Sequence, residues 1–128
     1  MRSSPICADR LRAIPSMLSE RESGALRDML HNIGLAEDFS RGHTFESLTA
    51  DTKTLYALVR TLEIISEASR RVPNAVKARH RHIEWREMAA AGNFCRHNYE
   101  DVTARCVWKT VQDHSPKLRA AIEQELAG

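Results

Sequence analysis

Apolar residues recur at steps of three and four along most of the chain, which is the spacing of one face of an α-helix. A first run between Ala25 and Gly42 predicts a helix that ends near Arg41-Gly42, where the glycine can act as a C-terminal stop. A second and stronger stripe runs from Thr52 to Ser69. Pro73 ends it, because the proline ring clashes with the turn before it.

The pattern continues through the C-terminal half. A short turn of helix is predicted at Ala75 to Arg79, and a longer helix from Ile83 toward Asn98. Asp101 is predicted to be the N-cap of a helix over residues 102–113. Ser115-Pro116 then predicts a new helix, with Ser115 as its cap and Pro116 at its first position.

No stretch alternates apolar and polar residues as a half-buried strand would. The sequence therefore predicts an all-α fold, an up-and-down bundle of four to five helices joined by short loops. Residues 1–16 contain two prolines and no sustained period, which predicts a disordered extension before one helical domain at residues 17–128.

Composition narrows the class of protein. Hydrophobic residues are 42% of 128 and the formal net charge is +2, which is typical of a soluble domain. No apolar run approaches the length of a membrane span, so we expect no membrane association. Three cysteines without metal-knuckle spacing predict no disulfide framework and favour a reducing cytoplasm.

Basic residues concentrate between positions 70 and 82, in RRVPNAVKARHRH, which contains no acidic residue. One interpretation is a solvated polar face. The other is a surface that binds RNA or a partner protein. The candidates for that surface are Arg70, Arg71, Lys77, Arg79 and Arg81.

The stretch GNFCRHNYED, residues 92–101, has the highest local density of hydrogen-bonding side chains. His97 can act as a general acid or base near neutral pH, and Arg96 beside it is a permanent cation. Such a pair suits RNA cleavage through the substrate's own 2′-hydroxyl, which needs no metal. Alternatively, His97 and Tyr99 are only the polar end of a helix, where the dipole favours a histidine. Cys95 is either a low-pKa thiol or, as we expect, a small residue buried in the bundle.

Two further groups have competing interpretations. Glu63 and Glu67 lie one helical turn apart and form either a solvated face or a carboxylate pair that holds a basic residue. The histidines are scattered; His80 and His82 cannot share a helical face. We therefore expect no metal ion. The sequence also contains no Gly-rich loop of the kind that binds phosphate, so we expect no cofactor.

Several segments together resemble the HepT-like branch of the HEPN superfamily. They are RTLEIISEA (60–68), IEWREMA (83–89), HNYEDV (97–102) and VWKTVQDHSPKL (107–118), in matching order and spacing. The resemblance implies a helical bundle, a homodimer, and a metal-independent ribonuclease that acts as the toxin of a prokaryotic toxin–antitoxin pair. It also implies an antitoxin of the MNT-type nucleotidyltransferase class, which attaches AMP to the motif tyrosine, here Tyr99.

The family motif reads Arg, four residues, His, one residue, Tyr. His97 and Tyr99 match it, Asn93 matches the polar residue after the Arg, and Gly92 stands where the Arg should be. Arg96 lies one helical turn after Gly92 and could replace the missing guanidinium. The hypotheses are therefore an RNA endonuclease in which Arg96 substitutes, a weak or inactive relative, and a non-catalytic module that partners a nucleotidyltransferase. A plain dimerisation domain is the least specific alternative.

Overall fold

The computed structural model describes residues 18–96 and 100–128, without the side chains of residues 96, 100 and 101. Within these residues the chain is all-α, with no β-strand, as predicted. The α-helices are α1 (Glu20–Ser40), α2 (Phe45–Ala50), α3 (Thr52–Ser69), α4 (Asn74–Arg79), α5 (Trp85–Arg96), α6 (Glu100–Lys109) and α7 (Ser115–Ala127). A π-helical turn, Thr110–His114, joins α6 to α7. The predicted extension at residues 1–16 lies outside the described residues.

Local sequence explains where the first helices begin and end. Ser19 and Glu22 form a reciprocal capping box at the start of α1, five residues before the apolar period becomes visible. Gly42 has φ +82°, a left-handed conformation that ends the first helical run as predicted. Thr44 caps α2 and Asp51 caps α3 by accepting the backbone N–H of Thr54.

The central element is α3, which packs between α1 and α5, while α7 covers the end of α1 and the π turn. The core consists almost entirely of aliphatic side chains, as the low aromatic content predicts. Its largest fully buried members are Leu26, Met29, Ile33, Leu48, Leu55, Leu58, Leu62, Ile65, Leu118, Ile122, Val76 and Val107. These residues come from every helix except α5, whose described contribution to the core is Met88 and Cys95.

Two predicted helix starts are wrong. Asp101 is not an N-cap, because α6 already begins at Glu100. Ser115 is not a cap either, because the chain stays helical from the π turn into α7, with the Ser115 N–H donating to the Thr110 carbonyl. Pro116 explains the π turn, since its ring cannot fit against the carbonyl four residues earlier in a regular α-helix.

Candidate active site

A polar cleft of about 420 Å³ opens between α3 and α5. We call it the α3–α5 cleft. One wall consists of Arg60, Glu63, Ser66 and Glu67 of α3 with Arg70 directly after that helix, and the other of Ala90, Gly92 and Asn93 of α5. The wall residues of α3 belong mostly to the family-like segment RTLEIISEA (60–68), and those of α5 lie at or next to the motif stretch that begins at Gly92.

Gly92 packs directly against α3 and is buried. A Cβ placed on it would lie 2.9 Å from Glu63 Cα, 3.0 Å from Ser66 Cβ and 3.3 Å from the Leu62 carbonyl oxygen. Because two of these atoms belong to the backbone of α3, they cannot move aside without separating the helices. Residue 92 therefore faces the wall of α3, and only glycine fits this spacing.

The Ala89 carbonyl fastens the two helices one turn before Gly92. It accepts hydrogen bonds from Ser66 Oγ at 2.6 Å and from Arg70 Nη2 at 2.6 Å. The Ser66 hydroxyl bridges the interface where both backbones are close, and the guanidinium of Arg70 covers it from the solvent side. The close packing at Gly92 is thus combined with polar contacts that fix the register of α5 against α3.

The structure places the residues of the motif unevenly. Asn93 lines the cleft. The helix α5 runs antiparallel to α3, since Ala89 contacts Ser66 and the later residue Gly92 contacts the earlier residue Glu63. Arg96 is the last residue of α5, one turn beyond Gly92, but its side chain is not described. His97 and Tyr99 lie outside the described residues.

The cleft carries mixed charge. Arg60 Nη1 donates to Glu63 Oε1 at 3.3 Å, and the Arg60 side chain is 71% exposed at the rim. The Glu63 side chain is only 19% exposed and faces α5, whereas Glu67 is exposed. Two guanidinium groups, that of Arg60 on α3 and that of Arg70 at the C-cap of this helix, therefore border the cleft. The predicted pairing of Glu63 and Glu67 with one cation stays a prediction.

The basic run from Arg70 to His82 does not form one uniform surface. Arg71 lies 3.5 Å from Asp28 Oδ2, and Lys77 lies over the Trp85 ring at 5.9 Å. Arg81 is exposed, and within the described part of the chain it has no hydrogen-bond or ion-pair partner. Of the five predicted binding residues, Lys77 and Arg81 are therefore the ones least engaged with acceptors of the protein itself.

Arg79 instead belongs to a partly buried charge network, in which its own side chain is 46% exposed. Glu125 on α7, whose side chain is 7% exposed, accepts Arg79 Nε at 3.0 Å, Arg79 Nη2 at 2.7 Å and His80 Nε2 at 2.7 Å. Arg79, and then His80, hold the pKa of Glu125 below its usual range. This network attaches α4 to α7, so Arg79 has a structural role that the basic run concealed.

The prediction that Cys95 is buried is confirmed, since it is 2% exposed. Its pKa is raised, first by hydrogen bonding to Cys106 and then by burial, so the alternative of a low-pKa thiol at Cys95 is wrong. The low-pKa thiol is Cys106 on α6, whose pKa falls to about 7, mainly through the same hydrogen bond. Sequence reasoning missed Cys106, because a separation of eleven residues gives no sign that the two thiols meet.

The structure also brings together three potential metal-ligating side chains that are apart in sequence. The ligand atoms of Glu84, Glu87 and His114 lie within 4.8 Å of one another. The two glutamates are exposed, and His114 Nδ1 lies 4.0 Å from Glu84 Oε1, an arrangement also typical of a solvated ion pair. None of these residues lies in the α3–α5 cleft.

No helix among the described residues combines the length and the apolar character needed to cross a membrane. The fold and cleft define an all-α bundle with a polar interhelical site. The model of the family described as "Ribonuclease HepT-like" matches residues 29–125 of the chain. The chain therefore belongs to the HepT-like ribonuclease family.

Curated relatives agree with this assignment. The chain is 42% identical over 99 residues to a protein of Thermococcus cleftensis named probable ribonuclease HepT, covering 77% of this chain and 90% of the relative. It is 29% identical over 107 residues to a protein of Methanocaldococcus jannaschii named putative RNase, and the match covers 83% of this chain and 98% of that relative. A protein of Caldanaerobacter subterraneus, also named putative RNase, is 31% identical over 86 residues, and the match covers 67% of this chain and 77% of that relative. No solved structure matches.

Proposed function

We propose that the chain is a metal-independent RNA endonuclease and the toxin of a prokaryotic toxin–antitoxin pair, acting in the cytoplasm as a homodimer. The observation that carries the proposal is the α3–α5 cleft in a HepT-like chain. It sets the motif residue Asn93 opposite the exposed guanidinium groups of Arg60 and Arg70. Such a cleft offers guanidinium groups and hydrogen bonds to a phosphodiester, although the carboxylates of Glu63 and Glu67 also line it.

The proposed reaction uses the 2′-hydroxyl of the RNA as the nucleophile. His97 takes its proton, the 2′-oxygen bonds to the adjacent phosphorus, and the bond to the 5′-oxygen of the next nucleotide breaks as that oxygen takes up a proton from water. The products are a 2′,3′-cyclic phosphate and a 5′-hydroxyl. Negative charge on the phosphate is stabilised by guanidinium groups, with Arg96 in the role of the motif Arg and Arg60 or Arg70 beside it. Asn93 orients the phosphate or His97.

The test is RNA cleavage by purified protein in EDTA. Wild-type protein should cleave, His97→Ala should lose cleavage, and His31→Ala, which removes an exposed histidine on α1, should cleave like the wild type. Products should carry 2′,3′-cyclic phosphate ends. Cleavage that survives in His97→Ala, or that needs a divalent ion, would contradict the proposal.

The partner in the proposal is a nucleotidyltransferase antitoxin of the MNT type, which transfers AMP from ATP to the phenolic oxygen of Tyr99 with release of pyrophosphate. Co-expression followed by mass spectrometry tests this step. The chain has one other tyrosine, Tyr56, which is 63% exposed and therefore a demanding control. Modification should disappear in Tyr99→Phe and persist in Tyr56→Phe.

One observation favours a second candidate function, a non-catalytic module that binds the nucleotidyltransferase. Gly92 takes the motif position of the Arg, and the packing against Glu63 and Ser66 leaves no room there for a side chain. In this case the wild type and His97→Ala would both leave RNA intact in EDTA. A complex with the partner would still form in a pull-down.

A further inference from the structure

Two thiols of this chain form a pair that neither the family motif nor the proposed reaction uses. Cys95 is in the last turn of α5 and Cys106 is in α6. Both are free in the structure. Thr103, which lies one turn before Cys106 on the same face of α6, donates its Oγ1 hydroxyl to the Cys95 carbonyl at 2.9 Å, and this contact brings the two cysteines together.

The two cysteines differ in access. Cys95 is 2% exposed, whereas Cys106 is partly exposed and lines a groove of about 420 Å³ on the side of α5 opposite the α3–α5 cleft. The groove is lined by apolar side chains, among them Met88, Ala91 and the half-exposed Phe94, and by the charged or titratable side chains of Glu84, Glu87, Lys109 and His114. A small uncharged oxidant can therefore reach Cys106 directly, whereas Cys95 is closed to solvent.

Their chemistry differs in the same sense. The hydrogen bond from Cys95, the Thr110 hydroxyl and the charge of Lys109 lower the pKa of Cys106 to about 7. The pKa of Cys95 is raised by the hydrogen bond with Cys106 and by burial. The thiol that the groove reaches is thus the one whose pKa is lowered, and the buried thiol is the one whose pKa is raised, which is the arrangement of an attacking and a resolving cysteine.

We propose that Cys106 and Cys95 are an oxidisable dithiol site that peroxide converts into an intrachain disulfide between α6 and α5. The Cys106 thiolate attacks one oxygen of hydrogen peroxide, the O–O bond breaks, and the departing hydroxide takes up a proton to leave as water. The resulting sulfenic acid is then attacked by Cys95. The S–O bond breaks, the S–S bond forms, and the Cys95 proton leaves with the hydroxide as a second water.

The disulfide would close a loop over residues 96–105, which contains His97 and Tyr99. Bonding distance requires the last turn of α5 and the facing turn of α6 to come closer than in the reduced pair. The site is chemically independent of RNA cleavage, so its test uses the thiols alone and stands whether or not the chain is a ribonuclease.

The first measurement is the pH profile of Cys106 alkylation by iodoacetamide in the native wild-type chain, followed by peptide mass spectrometry. The midpoint should lie near pH 7, and in urea it should return toward 9, the ordinary value for a thiol. This experiment needs no variant and so does not depend on the folding of a mutant. A native midpoint equal to the midpoint in urea would overturn the proposal.

The second measurement identifies the product of hydrogen peroxide treatment. In a Cys7→Ser background, non-reducing peptide mapping should show a Cys95–Cys106 link that dithiothreitol removes. Cys95→Ser in the same background should instead stop at a Cys106 sulfenic acid, which dimedone traps. Cys106→Ser should leave Cys95 reduced. A link between two chains, or a folded protein whose Cys95 oxidises as fast in Cys106→Ser as in the parent, would overturn the proposal.

Discussion

Gly92 on α5 packs directly on the backbone of α3 beside Glu63, at a spacing that leaves no room for a Cβ. The hypothetical Cβ would meet Glu63 Cα at 2.9 Å. The residue that our sequence analysis places at the position of the motif Arg is therefore also a residue that allows two core helices to touch. If Gly92 replaces the motif Arg, the loss of that Arg and the close packing of α3 on α5 are two aspects of one substitution.

Gly92→Ala should destabilise the protein. In an ordinary helix interior this change gains up to about 1 kcal/mol, because alanine restricts the unfolded chain more than glycine does. Here the methyl group overlaps Glu63 Cα and Ser66 Cβ, so we expect a net loss of about 1–2 kcal/mol in the free energy of unfolding. Urea denaturation measures it.

Gly24→Ala is the matched control, because Gly24 also lies inside a helix but has no atom within 4 Å of its hypothetical Cβ. That variant should gain about 0.5–1 kcal/mol. Equal effects at both positions would mean that α3 and α5 are not in close contact at Gly92.

Gly92→Arg tests whether the motif Arg can be restored at this position. If the ribonuclease site had only lost this one side chain, restoring the Arg would raise RNA cleavage. The position faces the backbone of α3, so we expect the larger side chain to push the helices apart and to lower both cleavage and thermal stability. A stable variant with higher activity would show that residue 92 can turn toward the cleft.

Glu125→Gln should cost about 2–4 kcal/mol of stability, because it removes the charge that satisfies Arg79 and the buried His80. Glu37→Gln is the control. Its partner Arg119 is also bidentate, but both side chains are about a third exposed, so we expect a loss of about 1 kcal/mol or less. Equal losses in urea denaturation would argue that burial of Glu125 contributes nothing.

The same carboxylate predicts an acid dependence. Arg79 and His80 lower the pKa of Glu125 in the folded protein below 4.5, the ordinary value for a glutamic acid. Its contribution is therefore fully present above pH 4.5 and is lost as pH falls through the lower, folded-state pKa. The stability difference between wild type and Glu125→Gln should therefore shrink as the pH is lowered below 4.5. A difference that grows below pH 4.5 would contradict this origin.

Arg81→Gln should weaken RNA binding without changing stability, because Arg81 is exposed and has no acceptor among the described residues. If it contacts one phosphate, the slope of log affinity against log salt should fall by about 1. Arg79→Gln is the contrasting variant, since it should lower stability through Glu125. An unchanged affinity and salt slope in Arg81→Gln would remove this residue from the RNA surface.

The sequence was sufficient for the fold class because apolar spacing at Leu55, Leu58, Leu62 and Ile65 is a local signal. It could not reveal the π turn, since Ser115-Pro116 also fits the start of a separate helix. The sequence could indicate that Gly92 stands where the family motif has an Arg, but the contact of Gly92 with Glu63 depends on how two helices cross. The pairing of Arg79 with Glu125, 46 residues apart, likewise has no local signature.

Thr103 is predicted to position the motif without touching RNA. Its hydroxyl donates to the Cys95 carbonyl at 2.9 Å and is buried, which fixes the C-terminal turn of α5 on α6 immediately before His97. Thr103→Val keeps the shape but removes the donor, so we expect a loss of about 1–2 kcal/mol in stability. RNA cleavage should fall mainly in kcat, because the end of α5 is less well oriented. Thr103→Ser, which restores the donor, should recover kcat; recovery of stability without kcat would reduce Thr103 to a purely structural contact.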